Sequence, residues 1–306
     1  MNKINCRIGI DLGGTKIESI VIDYDGNEIY RKRIPNPKND YNATLNSIKD
    51  LVHQSESETG LYGTIGIGIP GIISKQTNLV KNANSTVLIG KSLDKDLELI
   101  LGRPVRLAND ANCLALSEYI DGSGEQYNSL FGVILGTGVG GGLVIDGKIF
   151  PGANLISGEW GHNPLPWPDL NELPGPECYC GLSGCIETFL SGSGLENTYY
   201  KISGETVSAN VISEKIQNND QDAIKAIELY ENRLARGLAI VVNILDPEII
   251  VLAGGVSNIS RLYSNVKNIW NKYIISTDED VVTPIVQAKH GDSSGVRGAA
   301  WLWPEL

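Results

Sequence analysis

The stretches DLGGTK (11–16) and GTGVGG (136–141) decide the fold, because the same order of elements surrounds both of them. Each follows an apolar stretch typical of a strand, RIGID (7–11) in the first case and SLFGVIL (129–135) in the second. Each also precedes a second strand-like stretch and an Asp-Gly turn of the kind found in hairpins. The repeat indicates an internal duplication, so the sequence predicts two similar α/β lobes.

The length of 306 residues also favours two domains, since one hydrophobic core seldom serves so long a chain. We expect residues 1–112 to form an N-terminal α/β lobe and residues 113–292 to form a C-terminal α/β lobe. A final helix at about 293–306 is expected to return to the N-terminal lobe.

Charge and hydropathy exclude several classes of protein. The 25 Lys and Arg residues against 36 Asp and Glu residues give a net charge of −11, without a basic run, which disfavours nucleic acid as a partner. No apolar run approaches the roughly 20 residues needed to cross a bilayer, and MNKINCRIGI (1–10) does not resemble a signal peptide. We therefore expect a cytoplasmic protein with no membrane partner.

The glycine turns are candidate phosphate sites rather than a dinucleotide fingerprint. GTGVGG (136–141) satisfies G-x-G-x-x-G, but a strand follows it where the NAD-binding motif requires a helix. Glycine lets the backbone approach an oxygen-rich ligand, and successive N–H groups bind anions. Two such turns could hold one polyphosphate, with Asp11 placed at a strand end to hold Mg²⁺. The alternative is that both are simple hairpin turns.

Two further junctions fit the same chemistry. LAGGVSN (252–258) places Gly254 and Gly255 between a strand and a helix, where they leave room for the adenosine of a nucleotide. ANDANC (108–113) places Asn109 and Asp110 where a strand ends and a helix begins, which is where open α/β sheets bind ligands. An aspartate there can accept the proton of an attacking hydroxyl; the alternative is that Asp110 only caps its helix.

Three of the five cysteines lie close together in ECYCGLSGCIETF (177–189), in the predicted C-terminal lobe. Together with His162 they supply the four ligands of a closed, structural zinc site: Cys178, Cys180 and Cys185 are the other three. The C-x-C spacing is tighter than usual, so buried free cysteines and a redox pair remain alternatives. A metal would order the segment before Cys178, whose five prolines prevent a helix: Pro164, Pro166, Pro168, Pro174 and Pro176.

Together these elements resemble the ROK family of sugar kinases, almost from end to end and in the family's order. The motif C-x-C-G-x-x-G-C-x-E (178–187) is the most specific of them. The resemblance implies a two-lobed α/β fold of the actin-like, hexokinase-like ATPase type, related to ribonuclease H, with an inter-lobe cleft and a zinc-stapled loop. Four stretches look most like the bacterial fructokinase branch of the family: NANST (82–86), GEWGHNPLPW (158–167), CYCGLSGCIETF (178–189) and KHGDSSGVRGAAWLW (289–303).

The resemblance also implies residue roles. Asp110 would be the general base on the 6-hydroxyl of the sugar, and His162 would ligate zinc with one ring nitrogen and reach the sugar with the other. The remaining sugar ligands would be Asn109, Glu159 and Glu187. Asp11 would help to place Mg²⁺. The ATP site would comprise Gly13, Gly14, Thr15, Lys16, Thr137, Gly138, Gly254 and Gly255.

The expected function is ATP-dependent phosphorylation of D-fructose to fructose 6-phosphate, with mannose as a second substrate. A glucokinase or N-acetylhexosamine kinase of the same family is the first alternative, and a non-catalytic sugar sensor is the second. The first strand begins by Arg7, so we expect no N-terminal helix-turn-helix of the kind that ROK repressors carry. A homodimer is common in the family.

Overall fold

The computed structural model describes residues 4–37, 39–83, 85–275 and 279–303. The strands are β1 Cys6–Leu12, β2 Lys16–Ile22, β3 Glu28–Pro35, β4 Gly63–Ile69, β5 Ile72–Ile73, β6 Val80–Lys81, β7 Val105–Asn109, β8 Ser129–Leu135, β9 Val139–Ile145, β10 Lys148–Ile149, β11 Ile249–Ala253 and β12 Ile285–Gln287. The α-helices are α1 Tyr41–Thr59, α2 Leu93–Leu101, α3 Asp110–Ile120, α4 Ile186–Leu190, α5 Gly192–Ser203, α6 Ala209–Gln217, α7 Gln221–Leu245, α8 Leu262–Trp270 and α9 Ser294–Ala300.

Two five-stranded sheets repeat one strand order. The first is β3-β2-β1-β4-β7 and the second is β10-β9-β8-β11-β12. In the first sheet β2 is antiparallel to β1 and β3, whereas β4 is parallel to β1 and β7. In the second, β11 is parallel to β8 and β12. The predicted duplication of the α/β unit is confirmed, and each glycine turn joins two neighbouring strands of its sheet.

The chain forms two compact units. Unit 1 contains the described parts of Met1–Gln126, Val144–Ile156 and Asp292–Leu306, and unit 2 contains Tyr127–Leu143 and the described parts of Ser157–Gly291. The boundary expected after residue 112 falls inside α3, so the structure places it after Gln126 instead. The reason is that α3 packs against α9, where a side chain on Gly298 would overlap the backbone of Cys113.

Helix ends follow the local sequence, with two differences from expectation. The N-cap Asp40 accepts a hydrogen bond from the Ala43 N–H at 2.9 Å, and α1 ends at Gly60 with φ of 69°. The final helix is shorter than expected, since α9 covers Ser294–Ala300 and residues 304–306 lie outside the described chain. After Gly254 the chain forms a 3₁₀ turn, Gly255–Asn258, before α8 begins. Among the described helices, none has both the length and the apolar composition that a bilayer crossing requires.

Glycines on one face of the first sheet allow α9 to lie directly on the strands. A methyl group on Gly9 of β1 would overlap the carbonyl oxygen of Val296, and one on Gly66 of β4 would overlap that of Ala299. The alternate residues Ile65 and Ile67 fill the core on the opposite face. This direct packing of helix backbone on strand backbone brings the start of α9 close to Asp11, the predicted magnesium ligand, since Gly295 lies beside it.

We predict that Gly66→Ala lowers the free energy of unfolding by about 1–3 kcal/mol, since the added methyl must displace α9 from the sheet. Urea denaturation measures the change. Gly14→Ala is the matched control, because a methyl there meets no atom within 4 Å and the backbone is not left-handed. Equal stability of the two variants would contradict the packing described.

Candidate active site

The residues that the sequence analysis singled out are divided between the two units. In unit 1, Asp11 lies near the end of β1 and Asp110 opens α3. Burial, followed by the charges of Asp110 and Glu18, raises the pKa of Asp11 to about 7. The structure therefore brings the predicted base, Asp110, close to the predicted magnesium ligand, Asp11, and their mutual repulsion favours either a shared proton or a bound cation.

Asn109, and not Asp110, is the N-cap of α3. The Ala111 N–H donates to Asn109 Oδ1 at 2.9 Å and to Asp110 Oδ1 at 2.8 Å. Asp110 is thus in the first turn, where the helix dipole stabilises its negative charge. Since Asn109 performs the capping, the position of Asp110 is compatible with a further role as a proton acceptor.

The turn of unit 1 is held by a residue that the sequence analysis missed. The Gly13 N–H donates to the Lys16 carbonyl at 3.0 Å, which closes the turn. Asn36 Nδ2 donates to the Gly13 carbonyl at 2.7 Å, and the Asn36 N–H donates to the Thr15 carbonyl at 3.0 Å. Asn36 is buried, but a single asparagine before a proline gives no signal of such a role.

The turn of unit 2 lies against two other predicted elements. The Gly136 N–H donates to the Gly138 carbonyl at 3.0 Å. A side chain at Gly254, whose φ is 87°, would lie 2.5 Å from the Leu135 carbonyl oxygen and 3.0 Å from the Gly136 nitrogen. Gly254 and Gly255 are therefore next to the turn that carries Thr137 and Gly138, as a shared nucleotide site requires.

Glu187 contacts the same turn, which was not expected. Its Oε2 accepts a hydrogen bond from the Val139 N–H at 2.9 Å, and a side chain on Gly138 would lie 2.7 Å from that oxygen. The carboxylate predicted to bind the sugar is thus attached to the backbone of the glycine turn. Because Glu187 follows Cys185 by two residues in α4, this bond couples the cysteine motif to the turn.

His162 and the three cysteines converge, as the zinc hypothesis requires. All four ligand atoms lie within 4.8 Å of one another. Cys178 Sγ is 3.6 Å from His162 Nδ1, and Cys180 Sγ is 3.6 Å from Cys185 Sγ. A tetrahedral zinc ion has ligand separations of about 3.5–3.8 Å, whereas a disulfide bond is about 2.05 Å long. The arrangement fits a structural zinc ion, and all five cysteines are free thiols.

The second ring nitrogen of His162 has a protein partner in this structure. His162 Nε2 is 3.0 Å from the Tyr179 hydroxyl. Burial of this hydroxyl, then the charges of Glu187 and Glu159, raise the pKa of Tyr179 to about 12. The four residues therefore share one polar region of unit 2. The sequence analysis named all of them except Tyr179, which lies inside the C-x-C motif.

A buried ion-pair network also anchors the proline-rich segment. Glu172 accepts from Arg236 at 2.8 and 2.9 Å and from Arg233 at 2.7 Å, and both arginines belong to α7. Arg236 Nη1 also donates to the carbonyls of Pro166 and Trp167 at 3.0 and 2.6 Å. Burial by itself raises the pKa of Glu172, but the hydrogen bonds from Arg236 and Arg233 lower it below the ordinary range.

The repeated α/β units, the glycine turns and the paired carboxylates are typical of a sugar kinase with the hexokinase-like fold. Comparison with known proteins agrees with this class. Residues 7–306 match the sequence model described as the ROK family. The chain belongs to the ROK family, and it is a sugar kinase.

Individual relatives match over nearly the whole chain. The N-acetyl-D-glucosamine kinase of Haemophilus influenzae (strain 86-028NP) is 41% identical over 300 residues, covering 96% of this chain and 98% of its own. The N-acetyl-D-glucosamine kinase of Pasteurella multocida (strain Pm70) is 40% identical over 302 residues, covering 97% and 99%.

Solved structures show the same fold. The ROK hexokinase of Thermus thermophilus has a TM-score of 0.83 with 30% identity and covers 96% of both chains. A ROK glucokinase of Streptomyces griseus, in complex with glucose and AMPPNP, has a TM-score of 0.81 with 25% identity and covers 97% of this chain and 98% of its own. The names of the relatives do not support the expected fructokinase specificity.

We predict that Glu172→Gln destabilises the protein by about 3–5 kcal/mol at neutral pH, since it leaves buried arginine charge uncompensated. Because the pKa of Glu172 is lower in the folded chain than in the unfolded chain, the unfolded chain binds more protons in acid. The contribution is therefore complete above the ordinary glutamate pKa of about 4.3 and is lost as the pH falls through the lower folded-state value. Denaturant unfolding at several pH values should show that the difference in free energy of unfolding between the wild type and Glu172→Gln becomes smaller in acid.

Glu177→Gln is the control for this measurement, because it makes the same change on an exposed residue of the same segment. Its stability should stay within about 0.5 kcal/mol of the wild type. If the difference in free energy of unfolding between the wild type and Glu172→Gln did not depend on pH, the charged carboxylate of Glu172 would not be the anchor of the segment.

We predict that protein purified without added metal contains roughly one zinc ion per chain, and that Cys180→Ser loses most of it. Elemental analysis by mass spectrometry measures both. Cys6→Ser is the control, because Cys6 is a buried thiol of unit 1 that is not in the cluster. Wild-type protein without stoichiometric zinc would refute the metal hypothesis.

Proposed function

We propose that this chain is an ATP-dependent N-acetyl-D-glucosamine kinase that phosphorylates the 6-hydroxyl of its sugar. The observation that carries the proposal is the identity of 41% and 40% to two N-acetyl-D-glucosamine kinases over 96% and 97% of the chain. The Streptomyces griseus relative binds AMPPNP, an ATP analogue, which supports ATP as the phosphoryl donor.

This proposal replaces the fructokinase interpretation with the N-acetylhexosamine kinase alternative. The stretches that suggested a fructokinase carry the zinc ligands and the proposed sugar ligands Glu159 and Glu187, and hold neither the glycine turns nor Asp110. They are short parts of the chain. Similarity to two N-acetyl-D-glucosamine kinases extends over nearly its whole length and favours the amino sugar.

In the proposed mechanism Asp110 accepts the proton of the 6-hydroxyl as that oxygen attacks the γ-phosphorus of ATP. Asp110 lies in the first turn of α3, where the helix dipole favours a negative charge. Asp11 offers Mg²⁺ a carboxylate ligand, and the ion when bound neutralises charge on the transferred phosphoryl group. The raised pKa of Asp11 is consistent with this role, since a cation would relieve its repulsion with Asp110.

The glycine turns bind the phosphates in this proposal. In unit 1 the turn Gly13–Lys16 would present the backbone N–H groups of Gly14 and Thr15 and the ammonium group of Lys16, while the Gly13 N–H closes the turn. In unit 2 the corresponding groups are Thr137 and Gly138, with Gly254 and Gly255 beside the adenosine. The hydrogen bonds of Asn36 to both ends of the first turn fix its shape before the nucleotide arrives.

Sugar hydroxyls are proposed to bind Asn109 in unit 1 and Glu159, His162 and Glu187 in unit 2. Since His162 Nδ1 faces Cys178, only Nε2 is available to the sugar, and it must exchange the Tyr179 hydroxyl for a sugar hydroxyl. The zinc ion has a structural part in this proposal, because it holds His162 and the start of α4 in fixed positions. It does not take part in phosphoryl transfer.

We predict that kcat/KM for N-acetyl-D-glucosamine exceeds that for glucose, mannose and fructose by at least about tenfold, as expected for a site whose groups are matched to the acetamido substituent. A coupled assay of ADP release, with ATP saturating and each sugar varied, measures the four values. A higher kcat/KM for fructose would contradict the proposal and restore the fructokinase interpretation.

Asp110→Asn is the control that assigns the activity to this site. It preserves the size and position of the side chain but removes the base, so kcat should fall by about 10²–10⁴. Binding of the sugar, measured by calorimetry, should remain. Turnover near the wild-type value would show that a contaminating kinase produced the signal or that another group is the base.

A further inference from the structure

Three charged side chains lie in one row across the first sheet, in unit 1. Asp11 of β1 is the register partner of Glu18 on β2, and Glu18 is the register partner of Arg33 on β3. Partners in an antiparallel pair have their side chains on the same face of the sheet, with the Cβ atoms about 4.5–5.5 Å apart. The predicted magnesium ligand Asp11 therefore has a second carboxylate directly beside it, and the mechanism above does not use that carboxylate.

Glu18 is buried, and only one of its two carboxylate oxygens is hydrogen-bonded. Oε2 accepts from Arg33 Nε at 3.1 Å and from Arg33 Nη2 at 2.6 Å. Oε1 is buried without a hydrogen-bond donor among the described residues, and Arg31 Nη1 lies 3.6 Å from it. Since protein encloses both oxygens and only 1% of the side chain is exposed, Glu18 does not bind a ligand. Any effect that it has on the site acts through its charge.

The stability of the sheet does not explain this arrangement. Like charges directly opposite each other on neighbouring strands are destabilising, and apolar residues can often replace a buried ion pair without loss of stability. The neighbouring pair on the same face, Gly9 with Ile20, carries no charge. The carboxylate of Glu18 thus fits a role at the site better than a role in folding.

Asp11 is surrounded by charges of both signs. Burial, followed by the charges of Asp110 and Glu18, raises the pKa of Asp11 to about 7. The charges of Lys16 and Arg33 oppose this shift. Glu18 therefore makes the electrostatic potential at Asp11 more negative, and Arg33 makes it less negative. A unit charge several ångströms from a divalent cation changes the affinity for that cation by about threefold to tenfold in a partly hydrated site.

We propose that Glu18 is a positioning residue of the reaction, whose charge strengthens the binding of Mg²⁺ at Asp11 without contact with the ion, and that Arg33 limits this effect. The inference rests on the proposed function, because it takes Asp11 as a ligand of the ion that accompanies ATP. It goes further by giving a part in the site to two residues that lie outside the glycine turn.

The test measures the effect of Mg²⁺ on the affinity for AMPPNP by calorimetry, in the absence of sugar. The metal effect is defined as the Kd for AMPPNP without divalent ion divided by the Kd with saturating Mg²⁺. We expect Glu18→Gln, which keeps the size of the side chain, to lower this ratio by about threefold to tenfold. Arg33→Gln should raise the ratio by about threefold, and the double variant should return it toward the wild-type value.

The opposite signs separate an electrostatic role from a structural one. If the ion pair only supported the fold, both single variants would change the ratio in the same direction, since each breaks the same pair. That result, an unchanged ratio in either single variant, or a wild-type ratio of one would overturn the inference. Should Glu18→Gln fail to fold, Arg33→Gln decides the question by itself, because 45% of the Arg33 side chain is exposed and its loss is better tolerated.

Lys32→Gln is the matched control for Arg33→Gln. It removes the same charge from the preceding residue of β3, whose side chain is on the other face of the sheet and donates to Gln54 Oε1 at 2.7 Å. Its ratio should stay within about 1.5-fold of the wild-type value, and a change as large as that in Arg33→Gln would overturn the inference. The proposed function fails separately, since it is the wild-type enzyme's phosphorylation of N-acetyl-D-glucosamine that tests it, whereas nucleotide binding is measured without sugar.

Discussion

The hydrogen bond from the Val139 N–H to Glu187 depends on the cluster formed by His162 and the three cysteines. Cys185 immediately precedes α4, and Glu187 lies in the first turn of that helix. The position of the cluster therefore sets the position of the carboxylate that holds the glycine turn of unit 2. Cys185 of the cluster and Glu187, which accepts a hydrogen bond from the glycine turn, are only two residues apart in the chain.

Two independent anchors keep this arrangement in place. The ligand set fixes the beginning and the end of the proline-rich segment, and Glu172 attaches its middle to Arg233 and Arg236 of α7. A segment so rich in proline forms little regular structure, so it needs contacts of this strength to become ordered. Order in the segment matters to function because His162 and Tyr179 lie at its two ends.

Much of the fold was predictable because local sequence patterns determine it. Alternating apolar residues and glycine turns gave the strands of both sheets, and their repetition gave the duplication. The four members of the His/Cys cluster were identified by residue type and spacing. Asn36 and Glu172 were not, because their roles come from contacts with residues distant in sequence. The fructokinase interpretation came from short stretches that resemble one branch of the family, whereas similarity over the whole chain favours N-acetyl-D-glucosamine kinases.

The most direct test of the coupling between cluster and turn is hydrogen exchange of the Val139 amide, which donates to Glu187. It would be measured by mass spectrometry on a peptide that contains residues 136–141, before and after removal of the metal by a chelator. Faster exchange in this peptide after metal removal, with the strands of unit 1 unchanged, is the predicted result. Unchanged protection of Val139 in metal-free protein would contradict the account.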